Sequence, residues 1–323
     1  MAEPVHRWLR PLFHRLSPGG ARGRLQVFIY HRVLPEPDPL RPGEPDARRF
    51  DRQLRLIQRH FQVLPLPEAV RALREGRLPP RAAALSFDDG YRDNHDVALP
   101  LLQRRGLPAA FFVASGYLDG GTMWNDRVIE ALRAAPPGEL ALPGLGRWAL
   151  GDAASRRAAA AAAIGRFKYL PLQAREDAVA ALAAACTAPP APRLMMNREE
   201  LRRLHAAGMS IGAHTVSHPI LAALDAAAAR AEIEGSKAQL EALIGAPVRL
   251  FAYPNGRPGR DWGPRERALV AGAGFEAAFS TAWGTAGRDS DPFALPRFTP
   301  WDRRPLPFLL RLARNAWRPP AAP

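Results

Sequence analysis

The sequence predicts an α/β fold, a (β/α) barrel or a close relative of one. Three observations carry this expectation. Short apolar runs bounded by turn residues alternate with amphipathic helical patterns along much of the 323 residues, and strands separated by helices imply a parallel sheet. Neither a GxGxxG fingerprint nor a P-loop is present, which argues against a nucleotide-binding doubly wound sheet. The polar residues suited to chemistry each fall at the end of an apolar run, where barrels of this class gather side chains at one mouth.

The strands are expected at Leu25–Tyr30, Phe61–Leu66, Ala82–Phe87 and Ala109–Ala114, and later at Met209–Ala213, Val248–Tyr253, Ala277–Thr281 and Ala294–Phe298. Between them, Asp46–His60 sets Phe50, Leu54 and Ile57 on one helical face. His95–Gly106 turns Val97, Leu101 and Leu102 inward and stops at its glycine. Asn197 reads as an N-cap, with Glu199 and Glu200 in the first turn and Gly208 as the stop. Leu224–Ile244 ends at Gly245, and Asp261–Gly272 precedes the next strand. The rhythm breaks between about residues 119 and 196, an Ala-rich stretch that reads as two or three inserted helices. It would serve either as a lid or as an inert buttress.

A hydrophobic content of 47% supports a large core, and the net charge is +14. Nearly all the basic residues are Arg, in a chain rich in Ala, Pro and Gly. Either the charge attracts an anionic surface or it reflects coding bias. Zinc-finger spacing and RNA-binding aromatic signatures are absent, so no nucleic-acid partner is expected. Cys186 is the only cysteine, which excludes an intrachain disulfide and a cysteine-based metal site. The first twenty residues lack a secretory apolar region, and no run of about 18 apolar residues exists; a cytoplasmic protein is expected.

The expected organisation is a basic amphipathic segment at 1–20, one domain at 21–302 containing the insertion, and a basic amphipathic tail at 303–323. Val5, Trp8, Leu9, Leu12, Phe13 and Leu16 interleave with His6, Arg7, Arg10, His14 and Arg15 at one end, although Pro11 weakens that helix. Phe308, Leu309, Leu310 and Leu312 lie beside Arg311, Arg314 and Trp317 at the other. Both ends either lie on an anionic membrane, at its inner face, or pack on the domain.

The chemistry centres on Asp88-Asp89, two carboxylates directly after the apolar run Ala82–Phe87. Charges at the end of a buried strand need partners, and adjacent carboxylates repel until a cation neutralises them. His214-Thr215-Val216-Ser217-His218 supplies two imidazoles at a spacing that one helical turn would aim at the same ion. Two imidazoles with one carboxylate leave coordination positions open, as in catalytic zinc-type sites. His31, Tyr253, Asn255 and Arg297 lie at other strand ends or in the last strand. Trp124-Asn125-Asp126 opens the insertion and would form either a sugar-binding wall or core; Trp283 and Trp301 pose the same choice. His60, His95 and His205 read as surface or packing residues.

The segments SFDDGYRDN (86–94) and HTVSH (214–218) resemble the polysaccharide deacetylases, the NodB homology domain of carbohydrate esterase family 4. The resemblance extends over about residues 25–300. It implies a distorted (β/α)7 barrel, a divalent metal that is usually zinc, and hydrolysis of acetyl groups, mostly N-acetyl on amino sugars. By motif position it implies Asp89, His214 and His218 as metal ligands and Asp88 as catalytic base. Tyr30-His31-Arg32-Val33 and Phe251-Ala252-Tyr253-Pro254-Asn255-Gly256 look like the branch acting on bacterial exopolysaccharides. The substrate would then be an amino-sugar polysaccharide or a lipid-linked glycan precursor, and the oxyanion donor a backbone N–H in the Tyr253–Asn255 turn.

Two departures stand out. Many members carry Arg-x-Pro-Tyr, but here Ala252 and Asn255 take the Arg and Tyr positions. Arg297 is the expected source of the missing charge. Many also use a late Leu-x-His as general acid, and no histidine follows His218. His31 is the expected substitute, since its pKa range suits proton transfer near neutrality. An O-acetyl esterase using the same site, and a non-catalytic glycan-binding member, are the rival functions.

Overall fold

The computed structural model describes residues 9–317 apart from 143 and 145. In chain order the first elements are α1 (Leu9–Leu16), β1 (Gln26–Tyr30), α2 (Ala47–His60), β2 (Gln62–Val63), α3 (Leu66–Arg74), β3 (Ala82–Phe87), α4 (Leu99–Arg104) and β4 (Ala110–Val113). The insertion follows as α5 (Trp124–Ala134), β5 (Gly138–Leu142), β6 (Gly146–Leu150), α6 (Ala153–Phe167) and α7 (Leu172–Ala185). The chain returns with α8 (Arg198–Ala206), β7 (Ser210–Ala213), α9 (Ala226–Ile244), β8 (Leu250–Ala252), α10 (Pro264–Gly272), β9 (Ala277–Phe279) and α11 (Pro305–Trp317).

Seven strands form one parallel sheet in the spatial order β1-β3-β4-β7-β8-β9, with β2 also on β3. The sheet curls, and residues 295–298 close the gap between its ends. Leu295 bridges Phe279, and Phe298 bridges Phe28. The expected strand Ala294–Phe298 is therefore present only as two bridges around Pro296, which has no N–H to give a ladder. The result is an α/β distorted barrel.

Period-two alternation sorts the strand residues. Val27, Ala84, Ala110, Phe112, Ala252, Phe279 and Leu295 form one cluster, capped by Leu66, Ala69 and Val70 of α3. Phe28, Tyr30, Leu85, Phe87, Phe111 and Phe251 form the other, packed against Phe50, Leu54 and Ile57 of α2 and Ile233 and Leu240 of α9. The first cluster fills the barrel, and its many alanines allow so narrow a ring to close.

Most expected helices are present, with their caps. The Asp46 carboxylate accepts the Arg49 N–H at 2.9 Å to start α2. Asn197 and Glu200 form a reciprocal capping box on α8, and Gly245 ends α9 at φ 67°. Three local expectations change. The run Phe61–Leu66 yields a two-residue strand, because Pro65 starts α3, which was not expected. The helix at His95–Gly106 opens with a π turn, Asn94–Ala98, where Pro100 cannot bond the carbonyl four residues back. The insertion holds three helices and, beyond them, the antiparallel hairpin β5–β6. It has its own apolar cluster around Val128, Leu132, Phe167, Val179 and Leu182.

The two end helices pack against each other and the barrel. Phe13 of α1 is buried, its ring 4.8 Å from that of Phe61. Phe308, Leu309 and Leu312 of α11 are buried, while Leu306, Leu310 and Trp317 are exposed. Val5, Trp8 and residues 318–323 lie outside the described residues. Among the described residues no helix is long and apolar enough to cross a membrane.

Candidate active site

Ala84, Ser86 and Asp88 share the inward face of β3 and its extension, so Asp88 tops the inner column. Leu295 and Arg297 share an inward face in the same way. The two columns meet: Arg297 donates to both Asp88 oxygens, at 2.7 Å each, and through Nε to the Ser280 carbonyl at 3.0 Å. Arg297 is fully buried. Burial alone would raise the Asp88 pKa, but the Arg297 and His214 charges outweigh it and hold the carboxyl below its usual range.

The next residue points elsewhere. Asp89 takes a left-handed conformation, φ 76°, and Gly90 follows at φ 90°. A Cβ on Gly90 would stand 2.9 Å from the Val113 side chain, so the turn requires glycine. The strained turn separates the neighbouring carboxylates. Asp89 Oδ1 faces His214 Nε2 at 3.4 Å and His218 Nε2 at 3.3 Å.

His214 Nδ1 donates to the Ala252 carbonyl at 2.7 Å. That bond fixes the tautomer and leaves Nε2 as a lone-pair donor in neutral imidazole. Two imidazole lone pairs and a buried carboxylate thus converge, with all ligand atoms within 4.8 Å of one another. Asp89 Oδ1 is buried and lacks a hydrogen-bond partner. Electron-rich atoms so placed repel unless a cation lies among them, so the residues fit a divalent metal. Asp89 is held well below the usual carboxylate range: burial opposes ionisation, but His218 and His214 overcome it.

The histidine pair is not on a helix, as the spacing had implied. Residues 214–218 form an irregular turn, with Thr215 at φ 65° and His218 at φ 56°. Glu232 of α9 holds it by accepting the Val216 and Ser217 N–H groups at 2.8 and 2.9 Å. Thr215 Oγ1 accepts the His218 N–H at 3.1 Å.

His31, half-buried, lies on the walls of two adjoining cavities. One, about 400 Å³, includes Asp89, Tyr91 and Asn125. The other, about 480 Å³, includes Asn255, Thr281, Trp283 and Trp301. Asn94 donates to the His31 carbonyl at 2.9 Å, and Asp93 binds Arg32 and the Val33 N–H at 2.8 and 3.0 Å. Asp93, Asn94 and Glu232 were not singled out in the sequence. The first two follow Asp89 by four and five residues, within the same SFDDGYRDN segment, a legible signal; Glu232 looks like any helix-surface carboxylate.

The side chains of Tyr253 and Trp124 lie in the core. Tyr253 stacks on Trp262 at 4.0 Å, and its hydroxyl donates to the Phe293 carbonyl. Its N–H bonds the Phe279 carbonyl, and Pro254 has none. Of the turn, only Asn255 retains an N–H without a partner among the described residues. Trp124 is buried inside the insertion, with Arg175 over its ring. Trp283 and Trp301 are 37% and 53% exposed on the cavity wall. A second cluster, His95, Asp96 and Glu200, reads as an ion-pair network, because Arg193 occupies both Glu200 oxygens.

The polysaccharide deacetylase family profile matches residues 75–141 and 171–277, more than half of the chain. The chain belongs to the polysaccharide deacetylase family and is an enzyme of that hydrolase class. The interruption between the two matched stretches falls inside the insertion. IcaB from Ammonifex degensii superposes with a TM-score of 0.59 at 19% identity, covering 94% of this chain and 99% of that one. The deacetylase PplD of Streptococcus pyogenes, solved with acetate, gives 0.58 at 18% identity over 85% and 92%. A de-N-acetylase from Aggregatibacter actinomycetemcomitans gives 0.55 at 15% identity over 85% and 94%. At these identities the likeness speaks for the fold. No curated protein is similar enough in sequence to count as a match.

Proposed function

We propose that this enzyme is a metal-dependent N-deacetylase of an amino-sugar polysaccharide or lipid-linked glycan precursor. The observation that carries this reading is the division of labour between adjacent carboxylates: Asp88 is locked to Arg297, and Asp89 converges with His214 and His218. Asp89, His214 and His218 would hold one divalent ion, most simply Zn²⁺. When bound, such an ion acidifies water toward a pKa of about 7 and polarises the acetamide carbonyl.

The chain's own groups supply the rest. Asp88 accepts the proton of the attacking water while Arg297 fixes its orientation. The Asn255 N–H is the oxyanion donor. His31 donates a proton to the departing amine. Asn125, Trp283 and Trp301 line the sugar's path. Peripheral contact with an anionic membrane, at its cytoplasmic face, falls to the exposed Leu306, Leu310 and Trp317 with Arg303, Arg304 and Arg314.

Metal analysis and acetate release test the reading together. The wild-type protein should hold one equivalent of metal and release acetate from N-acetylated chito-oligosaccharides, and a chelator should abolish turnover. Asp89→Ala should lose both. A fully metalated Asp89→Ala protein, or chelator-insensitive glycan binding without acetate release, would overturn it. Parallel assay of O-acetylated glycans separates amide from ester hydrolysis.

A further inference from the structure

Lys168 and Arg257 lie on the wall of the 480 Å³ cavity with His31 and Asn255. Lys168 comes from the C-terminal end of α6 in the insertion, and Arg257 from the loop after β8. Neither side chain makes an ion pair or donates a hydrogen bond among the described residues. Arg260 adds a third cation: its guanidinium lies 4.2 Å from the Tyr169 ring centre, and the Lys168 ammonium lies 5.6 Å from the same centre. Asp261, whose charge acts on Lys168, is buried, with one oxygen accepting the Arg257 N–H. Glu44, the one carboxylate among the described residues on this wall, interacts with His31 and Arg32. Burial, partly offset by Asp261, together with the charges of Arg257 and Arg260, lowers the Lys168 pKa. Like charges gathered in a partly dry cavity are unfavourable until an anion joins them.

His31, Gly43 and Glu44 line both cavities, so the two adjoin at these residues. A ligand with its acetyl group over Asp89 would extend past His31 toward Lys168 and Arg257. Trp283 and Trp301, with ring centres 5.3 Å apart, offer aromatic faces to a sugar on the way.

We propose that Lys168 and Arg257 form an anion-binding subsite for a phosphate or carboxylate group carried by the glycan beyond the acetylated sugar. The proposal rests on the deacetylase reading and narrows its substrate to an acidic or phosphate-linked glycan. Arginine and lysine both suit either oxyanion, the first as a planar fork and the second as a point charge.

Titration calorimetry on the zinc-loaded protein tests it with three probes: N-acetylglucosamine 1-phosphate, an N-acetylglucosamine–glucuronate disaccharide and neutral chitobiose. A charge-assisted contact is worth about tenfold in affinity, so at least one charged probe should bind about that much more tightly than chitobiose. The larger ratio identifies phosphate or carboxylate. In a Lys168→Gln, Arg257→Gln double variant the ratio should fall to about one, with chitobiose as the internal reference. Equal affinities in the wild type, or a preference retained by the double variant, would overturn the subsite. Acetate release is scored separately, so a protein that prefers the charged probe yet releases no acetate loses the deacetylase reading and keeps the anion site.

Discussion

Arg297 holds Asp88 with both arms of its guanidinium, a geometry that lysine cannot copy. Asp88 accepts a proton only while ionised. Its pKa is depressed, so the native carboxylate persists below the usual range and its stabilising pair is lost only as pH falls through that lower value. Arg297→Lys should raise the Asp88 pKa and move the acid limb of the kcat/KM profile to higher pH. An unmoved limb would show that another group sets it. Arg297→Met should cost about 3–5 kcal/mol in chemical denaturation, because a buried carboxylate loses its cation. The proposed role of His31 is tested separately. His31→Gln should lower kcat by about 10²–10⁴ with metal retained, the usual range for a general acid. Turnover near that of the wild type in a metalated variant would remove His31 from the chemistry.

The turn at residues 214–218 shows how an element brings candidate ligands together without regular structure. The HxxxH spacing was legible, but its conformation was not. Left-handed Thr215 and His218 require support from the distant Glu232, and no local pattern encodes that partner. Glu232→Ala should leave two backbone N–H groups unpaired and destabilise the protein by about 1–3 kcal/mol. Zinc affinity, measured against a competing chelator, should fall about 10–100-fold, as when groups supporting metal ligands are lost. Unchanged affinity would mean that the turn holds its shape alone. The same boundary separates the other readings. Asp88, Asp89, His214 and Arg297 were legible because they end apolar runs, and a strand end is a position that sequence can specify. The side chains of Tyr253 and Trp124 were not placed by sequence, because an aromatic near a site looks the same whether it faces sugar or core. Their neighbours decide, and Trp262 and Arg175 are tertiary partners. The closing segment Ala294–Phe298 was legible as an apolar run, but Pro296 reduces it to two bridges.

At the scale of the whole molecule, the inserted helices are tied to the barrel by charge. Arg41, in the loop after β1, donates to Asp126 and Glu130 of α5 at 2.8 and 2.7 Å. Asp38 of the same loop binds Arg133 of α5 at 2.5 Å, and Arg32 lies 3.8 Å from Asp126. That loop also carries His31, Gly43 and Glu44, so the strap that docks the insertion shapes both cavities. The insertion has its own apolar cluster, and units of this kind open cooperatively. Arg41→Ala should therefore quicken hydrogen exchange across α5, α6 and α7 together while β3 and β4 keep their protection. The strap should also respond to acid. Burial opposes ionisation of Asp38, but Arg133, the Leu40 N–H and Arg41 lower its pKa to about 2. An unfolded aspartate titrates near about 3.9, so this stabilisation is complete above that pH and lost as pH falls toward the native value. Protection of the insertion should accordingly weaken between about pH 4 and pH 2. In Arg41→Ala the Asp38 pKa rises, the gap to the unfolded value narrows, and the weakening should be smaller and finish at higher pH. Exchange that quickens equally in the barrel strands would mean that insertion and barrel open as one unit and that the strap is not the seam between them.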